Sequence, residues 1–300
     1  MKVFVTGATG VLGSAAAACL VADGHAVAGL ARDEAKAAAL EAAGVVPVRT
    51  QLLDLDAMTA ALDGFDAVCN LATHIPVGLA ALRPGAWKVN DRLRIQGSKV
   101  VAQAARDAGV RQLVQESVSF VYADGEDEWI TEESPISVTR ATDPAAVAEA
   151  NASRFGNVSR QAVILRFGSF VGDDPMTRWR LRQAELGRAV IVGDPQGWTH
   201  LVHPDDAGTA VAAALAAPSG VYNVGAEPVR RETVNQVFAD AVGRESLAPT
   251  PKLLVRVGGE RLTPLARSQR VCSAKLHEVT GWKPVHDMFD PSWLPHPSTA

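Results

Sequence analysis

The stretch Val3-Phe4-Val5-Thr6-Gly7-Ala8-Thr9-Gly10-Val11-Leu12-Gly13-Ser14 decides how the chain is read. A short β-branched and aromatic run meets a turn with glycines at spacing G-x-x-G-x-x-G, and an alanine-rich segment, Ser14 to Ala22, follows at once. Strand, glycine turn and helix in this order are the context in which such glycines mark a dinucleotide site. Gly7 permits the tight turn off the strand, because glycine alone reaches positive φ cheaply. Gly10 has no Cβ to hold a pyrophosphate off the backbone, and Gly13 allows close packing of the helix. The helix N-terminus then offers unpaired N–H groups and about half a positive charge to the phosphates.

Three hundred residues suit one large α/β domain, or a domain with a smaller companion. With 47% hydrophobic and 21% charged residues, the composition is that of an ordinary globular protein. The net charge is −4 and no long basic cluster occurs, which argues against a nucleic-acid footprint. No apolar run approaches a membrane span, and Lys2 leads straight into the first strand. No membrane partner and no signal peptide are therefore expected. Cys19, Cys69 and Cys272 form neither a CxxC pair nor a disulfide framework, so the cytoplasm is the expected compartment.

Working outward from the glycines, Asp23-Gly24-His25 reads as a helix stop and Ala26 to Leu30 as the second strand. An acid at the end of this strand would accept from the ribose 2′-hydroxyl of NAD, whereas an arginine suits a 2′-phosphate. Leu30 and Ala31 stand where the acid is expected and Arg32 follows. NADP is thus favoured and NAD is the alternative. A merely solvated Arg32 is the structural reading. Asp33 reads as the N-cap of the next helix, ending at Gly44. Val45 to Val48 is a third strand, and the Asp54 beyond it suits either an adenine amino group or a helix cap.

Ala67 to Ala72 is the fourth strand, an apolar run typical of a sheet covered on both faces. Thr73-His74-Ile75-Pro76 lies past its carboxyl end, where open α/β sheets bind ligands. His74 is a substrate contact or acid there, or only a hydrogen-bonded loop residue. A helix is expected from about Gly85 to Ala108, carrying Asn90. Gln112 to Glu116 is a fifth strand, followed by Ser117 to Tyr122. The acidic loop from Asp124 to Glu133 is a mobile lid or a solvated excursion. Asp143-Pro144 marks a helix start with Asp143 as cap, and Ala162 to Arg166 is the sixth strand.

The remainder is less regular. Arg178, Trp179, Arg180 and Arg182 lie on a helix ending at Gly187, where arginines meet a substrate anion or face solvent. Strands are expected at Ala189 to Val192 and from Thr199 to His203, with a helix from Pro204 to Ala217. Asp205-Asp206 suits that helix's first turn. His200 and His203 lack evident ligand partners, so no metal site is expected. Val221 to Gly225 reads as strand and Arg231 to Val242 as helix.

The chain closely resembles the short-chain dehydrogenase/reductase superfamily in its extended form, the NAD-dependent epimerase/dehydratase group. The matching residues are Thr6 to Gly13, Asp54-Leu55, Asn70-Leu71-Ala72, Asn90, Ser117 to Tyr122, Val163 to Arg166 and Val202 to Ala207. Tyr222 to Gly225 and Gly281-Trp282-Lys283-Pro284 match as well. The resemblance implies an α/β fold: a Rossmann-type doubly wound parallel sheet over residues 1–170, a return helix near 204–217, and a smaller C-terminal α/β substrate lobe over 171–300. It also implies NAD(P) chemistry on a small-molecule substrate such as a sugar-like or carbonyl compound, often in a homodimer. The cofactor would lie against Gly7, Thr9, Gly10, Val11, Leu12, Gly13, Arg32, Asp54, Leu55, Leu71, Ala72, Thr73 and Asn90.

The group's chemistry uses a Tyr-x-x-x-Lys pair, the tyrosine moving the proton and the lysine lowering its pKa. This chain has two tyrosines, Tyr122 and Tyr222, and the residues four further on are Glu126 and Ala226. Matching Glu149 to the group's helix glutamate puts Ala141 and Ala145 at the pair's places. Val118 takes the place of the serine or threonine. The candidates for a replacement acid or base are His74, Ser117, Ser119, Tyr122 and Glu149. The leading expectation is an oxidoreductase, epimerase or dehydratase with a non-standard acid or base. A non-catalytic nucleotide sensor or interaction protein is one alternative, and a non-redox cyclase or lyase is the other.

Overall fold

The opening run forms β1 (Lys2–Thr6), whose Val3, Phe4 and Val5 are fully buried. This computed structural model describes residues 1–251, 256 and 259–295. Beside β1 lie β2 (Ala26–Ala31), β3 (Val46–Arg49), β4 (Ala67–Asn70), β5 (Gln112–Val118), β6 (Gln161–Phe167) and β7 (Gly220–Val224). They pair in parallel as one seven-stranded sheet in the order β3-β2-β1-β4-β5-β6-β7. The winding reverses between β1 and β4, and the crevice outside their carboxyl ends is the topological switch point.

Helices cover both faces. On one, α1 (Val11–Ala22) and α2 (Glu34–Ala42) bury Ala16, Ala17, Leu20, Ala37 and Leu40 against Val3 and Val5. On the other, α3 (Leu55–Leu62) buries Met58 and Leu62 against Phe4 and Val68. Next come α4 (Lys88–Arg92), a π-helical turn (Leu93–Gly97) and α5 (Ser98–Asp107). The helix starts later than Gly85, because Pro84 and Gly85 (φ 78°) form a turn first. The π turn carries Arg94, buried and ion-paired with the buried Glu116 at the end of β5. A π turn often marks such a specialised point in a helix.

The helix α6 (Asp143–Phe155) has Pro144 in its first turn as expected. Its N-cap, however, is Thr142, and Asp143 is already helical, complementing the dipole instead of capping. The expected return helix is α8 (Pro204–Ala213), which packs on α1. A Cβ on Gly208 would lie 2.7 Å from the Ala15 carbonyl carbon, so this close crossing needs glycine. The chain then adds β7 to the sheet, so the return to the Rossmann layer extends past the helix.

The smaller lobe contains α7 (Pro175–Glu185) and α9 (Arg231–Ala241) around Val171, Ala184, Val190, Leu201, Val234, Phe238 and Trp293. Its residues 252–255, 257–258 and 296–300 lie outside the described residues. Two expectations fail here. Ala189 to Val192 is not a strand: Val190 and Ile191 are buried in the lobe core, and only Arg188 makes an isolated bridge, to Ala248. The segment from Thr199 to His203 is split at His200 into Trp198–Thr199 and Leu201–Val202, each with its own partner strand.

The acidic loop is no lid. Trp129–Ile130 pairs with Arg270–Val271, and Asp127 accepts from Trp198 Nε1 and pairs with Arg230. Backbone pairing and charge bind it to the lobe. Among the described residues no helix is long and apolar enough to cross a membrane.

Candidate cofactor and substrate site

At the carboxyl end of β1, Gly7 has φ 68°, and a Cβ there would come 2.7 Å from Leu71 O and 2.8 Å from Ala72 Cα. Both its conformation and its neighbours therefore require glycine. A Cβ on Gly13 would lie 2.0 Å from Gly7 O, so the first turn of α1 rests on the glycine loop itself. Gly10 is the N-cap of α1, with no side-chain cap and no acid in the first turn. A Cβ on Gly10 would meet only Gly7 O, at 3.3 Å, leaving its outer side open. The uncapped N–H groups and helix dipole thus point at an open face suited to a pyrophosphate.

The loop leaving β4 is fixed by polar contacts. Thr6 Oγ1 donates to Asn70 Oδ1 (2.7 Å) and accepts from Leu71 N (3.2 Å). Asn70 Nδ2 donates to Gln115 Oε1 at 2.8 Å, across the β4–β5 register. Asn90, buried, accepts from His74 N at 3.2 Å and so clamps the loop holding Ala72 and Thr73. These ties position the Gly7–Leu71 contact.

At the end of β2, Arg32 is exposed and Asp33 caps α2 by accepting from Lys36 N at 2.9 Å. The cap turns Lys36 back, and its Nζ donates to Thr9 Oγ1 at 3.0 Å. Sequence reading missed Lys36. Its signal was the spacing, three residues past a capping aspartate, which places it on the first turn of α2. Asp54 does cap α3, accepting from Ala57 N at 3.1 Å, and Leu55 is exposed beside it.

The structure joins three of the five candidate acids and bases and leaves His74 and Ser119 apart from them. Ser117 Oγ donates to Glu149 Oε1 (2.5 Å), and Arg166 binds Glu149 through Nε (2.9 Å) and Nη2 (2.7 Å). The Arg166 guanidinium also lies over the Tyr122 ring, 4.8 Å from its centroid. Tyr122 donates to Asn223 Oδ1 at 2.7 Å, and burial pushes its phenol up to about 12. Ser119 is buried against Gln269. Ser117, Glu149 and Tyr122 therefore form one closed network, with Glu149 neutralising a buried arginine. His74 alone of the five is exposed, beside the loop after β4. Ala141 is exposed and Ala145 is buried.

In the lobe, His200 is buried, and burial drives its pKa down to about 3, so the ring is neutral. His203 stacks on His286 with centroids 3.8 Å apart. With Asp205 they bring possible ligand atoms within 4.8 Å of one another. Yet His203 Nδ1 accepts from Asp205 N, and His286 Nδ1 faces Asp206 Oδ2 at 2.9 Å. The two Nδ1 contacts fix the orientation of the stacked rings. Asp206 does more than complement the dipole: it also accepts from Val285 N and His286 N, tying the C-terminal segment to α8.

Residues 3–225 match the sequence profile of the NAD dependent epimerase/dehydratase family. The chain belongs to that family. This is an NAD(P)-dependent family. A 3-diazoavenalumate denitrifying reductase of a Streptomyces species is 32% identical over a 315-residue alignment that covers 98% of each chain. A 2-alkyl-3-oxoalkanoate reductase of Stenotrophomonas maltophilia is 30% identical, over 89% of this chain and 84% of its own. Among solved structures, human epimerase family protein SDR39U1 with NADPH matches over 100% of both chains, with TM-score 0.81 and 23% identity. That last likeness carries the fold alone.

Proposed function

We propose that the protein is an NADPH-dependent reductase that acts on a small, electron-poor carboxylate without a tyrosine acid. One observation carries the reading. The nucleotide cradle is complete, while the places of the tyrosine, lysine and serine hold Ala141, Ala145 and Val118. Lys36 and Arg32 favour a 2′-phosphate, the first held against the glycine turn and the second exposed at the end of β2. Bound in this cradle, a nicotinamide supplies a hydride. The backbone of the glycine turn and the N-terminus of α1 hold the pyrophosphate, and the clamped loop after β4 orients the rest.

Loss of a general acid costs about 100- to 10,000-fold for a carbonyl acceptor. An acceptor that needs no proton escapes that cost. A diazonium carbon is one: a hydride replaces the nitrogen, which departs as N2, and the protein gives up no proton. The Streptomyces relative is named for a diazo carboxylate, and the Stenotrophomonas relative for an oxo carboxylate. The first matches this site better, because the second's carbonyl calls for an acid.

The test begins with protein stripped of carried-over nucleotide and titrated calorimetrically with NADPH and with NADH. NADPH oxidation is then followed with 3-diazoavenalumate and with a 2-alkyl-3-oxoalkanoate. Expected are tighter binding of NADPH, and oxidation matched one for one by loss of the diazo group. Deuterium from C4-labelled NADPH should appear at the new C–H bond. Tighter NADH binding would overturn the Lys36–Arg32 assignment. Oxidation with the oxo acid alone would overturn the choice of acceptor. Binding with no oxidation of either would overturn the reductase reading.

A further inference from the structure

Arg180 is a half-buried cation bound to two uncharged acceptors. Its Nη1 donates to Phe170 O at 2.9 Å and its Nη2 to Ser169 Oγ at 2.8 Å, both uncharged acceptors. Among the described residues no carboxylate lies within ion-pair distance of it, although Arg178 on the same helix pairs with Asp173. The nearby buried acid, Asp174, is committed elsewhere. Its Oδ1 accepts from Met176 N (2.7 Å) and Thr177 N (3.1 Å), and its Oδ2 from Thr177 Oγ1 (2.5 Å). Burial accordingly pulls the Arg180 pKa down, and the field of Asp174 only partly restores it. A cation held half out of water without a counter-ion is costly unless an anion arrives.

Its position says which anion. Val118, at the vacant serine place, lies opposite Phe167 in the β5–β6 register, and Ser169 and Phe170 follow directly as β6 leaves the sheet. Arg180 is fastened to both of them. One residue earlier on α7, Trp179 packs on Gly78, in the chain that leaves β4. The helix α7 therefore bridges the exits of β4 and β6, across the carboxyl edge of the sheet where a hydride acceptor must lie. Arg231 and Arg267, the buried arginines of this part of the chain, are instead held by backbone carbonyls, Arg231 by Asp194 O and Arg267 by Tyr122 O and Ser137 O.

We infer that Arg180 is the substrate-binding residue that recognises the carboxylate of the substrate, with its remaining guanidinium N–H groups aimed at that anion. The inference rests on the reductase reading above for its substrate class. Guanidinium and carboxylate are matched for paired hydrogen bonds, which a compact ammonium does not reproduce.

Protein saturated with NADP⁺ is titrated with cinnamate and with cinnamamide, which share a ring and differ in charge. Cinnamate should bind at least about tenfold more tightly than the amide. In Arg180→Gln the preference should vanish, and in Arg180→Lys part of it should remain. NADP⁺ affinity, measured in each variant, should not change, and it reports that the variant is folded. Equal binding of the two probes, binding of neither, or a preference that survives in Arg180→Gln would overturn the assignment while NADP⁺ binding keeps the nucleotide reading intact. Absence of NADP⁺ binding in the unaltered protein would instead overturn the nucleotide reading on which it rests.

Discussion

Lys36 Nζ lies 3.0 Å from Thr9 Oγ1, which fastens the first turn of α2 to the middle of the glycine loop. A cation is thereby held at the edge of the glycine loop. Lys36→Ala and Arg32→Ala should each weaken NADPH binding about tenfold, the effect of one charge-assisted contact worth about 1.4 kcal/mol. NADH binding should stay within about twofold, because NADH lacks the 2′-phosphate. Calorimetric titration of both nucleotides checks this, and equal losses for NADH would remove the phosphate argument.

Gly13 admits no side chain. A methyl group there would need to displace Gly7 O from 2.0 Å. Gly13→Ala should therefore destabilise the protein by about 1–3 kcal/mol, as overpacking does, and abolish nucleotide binding by moving the turn. Ser14→Ala, at an exposed position one residue later, should leave both unchanged. Thermal melts with and without NADPH separate the two outcomes.

Glu149 is the acid of a buried pair, with Arg166 on two of its bonds and Ser117 on a third. Glu149→Gln should lower stability by about 3 kcal/mol, because it leaves the Arg166 charge buried without its partner. The double variant with Arg166→Met should lose less than the sum of the single losses. Turnover of NADPH per folded molecule should be unchanged. A large fall in turnover with normal stability would make Glu149 part of the chemistry.

His200 gives the protein an acid sensitivity of definite sign. Its folded pKa is depressed by burial to about 3 from the usual 6.5. Below pH 6.5 the unfolded chain takes up a proton that the folded chain refuses, so stability falls as pH drops toward 3. The full slope for one proton is about 1.4 kcal/mol per pH unit. Denaturant melts between pH 7 and about 4 should show this slope, and His200→Gln should flatten it. An unchanged slope would place the linkage on other groups.

Much of the site was legible because local rules govern it. A glycine at φ 68° and an uncapped helix start are consequences of residues adjacent in sequence, as is the Asp33 cap. The candidate acids failed for the opposite reason. Whether Tyr122 and Glu149 face a cavity or each other's neighbours depends on Asn223 and Arg166, which come from different strands. Nor does the sequence show that Ser117 meets Glu149, a partner 32 residues further along the chain.

The sequence by itself determined the alternating α/β order and the glycine-spaced turn after the first strand, since each is a pattern of near neighbours. Only the tertiary structure decided that β7 extends the sheet, that the acidic loop is strapped to the lobe, and that Arg180 has no counter-ion among the described residues. Those facts are sums over partners far apart in the chain. Burial sets their energies, and burial exists only once the whole chain is packed.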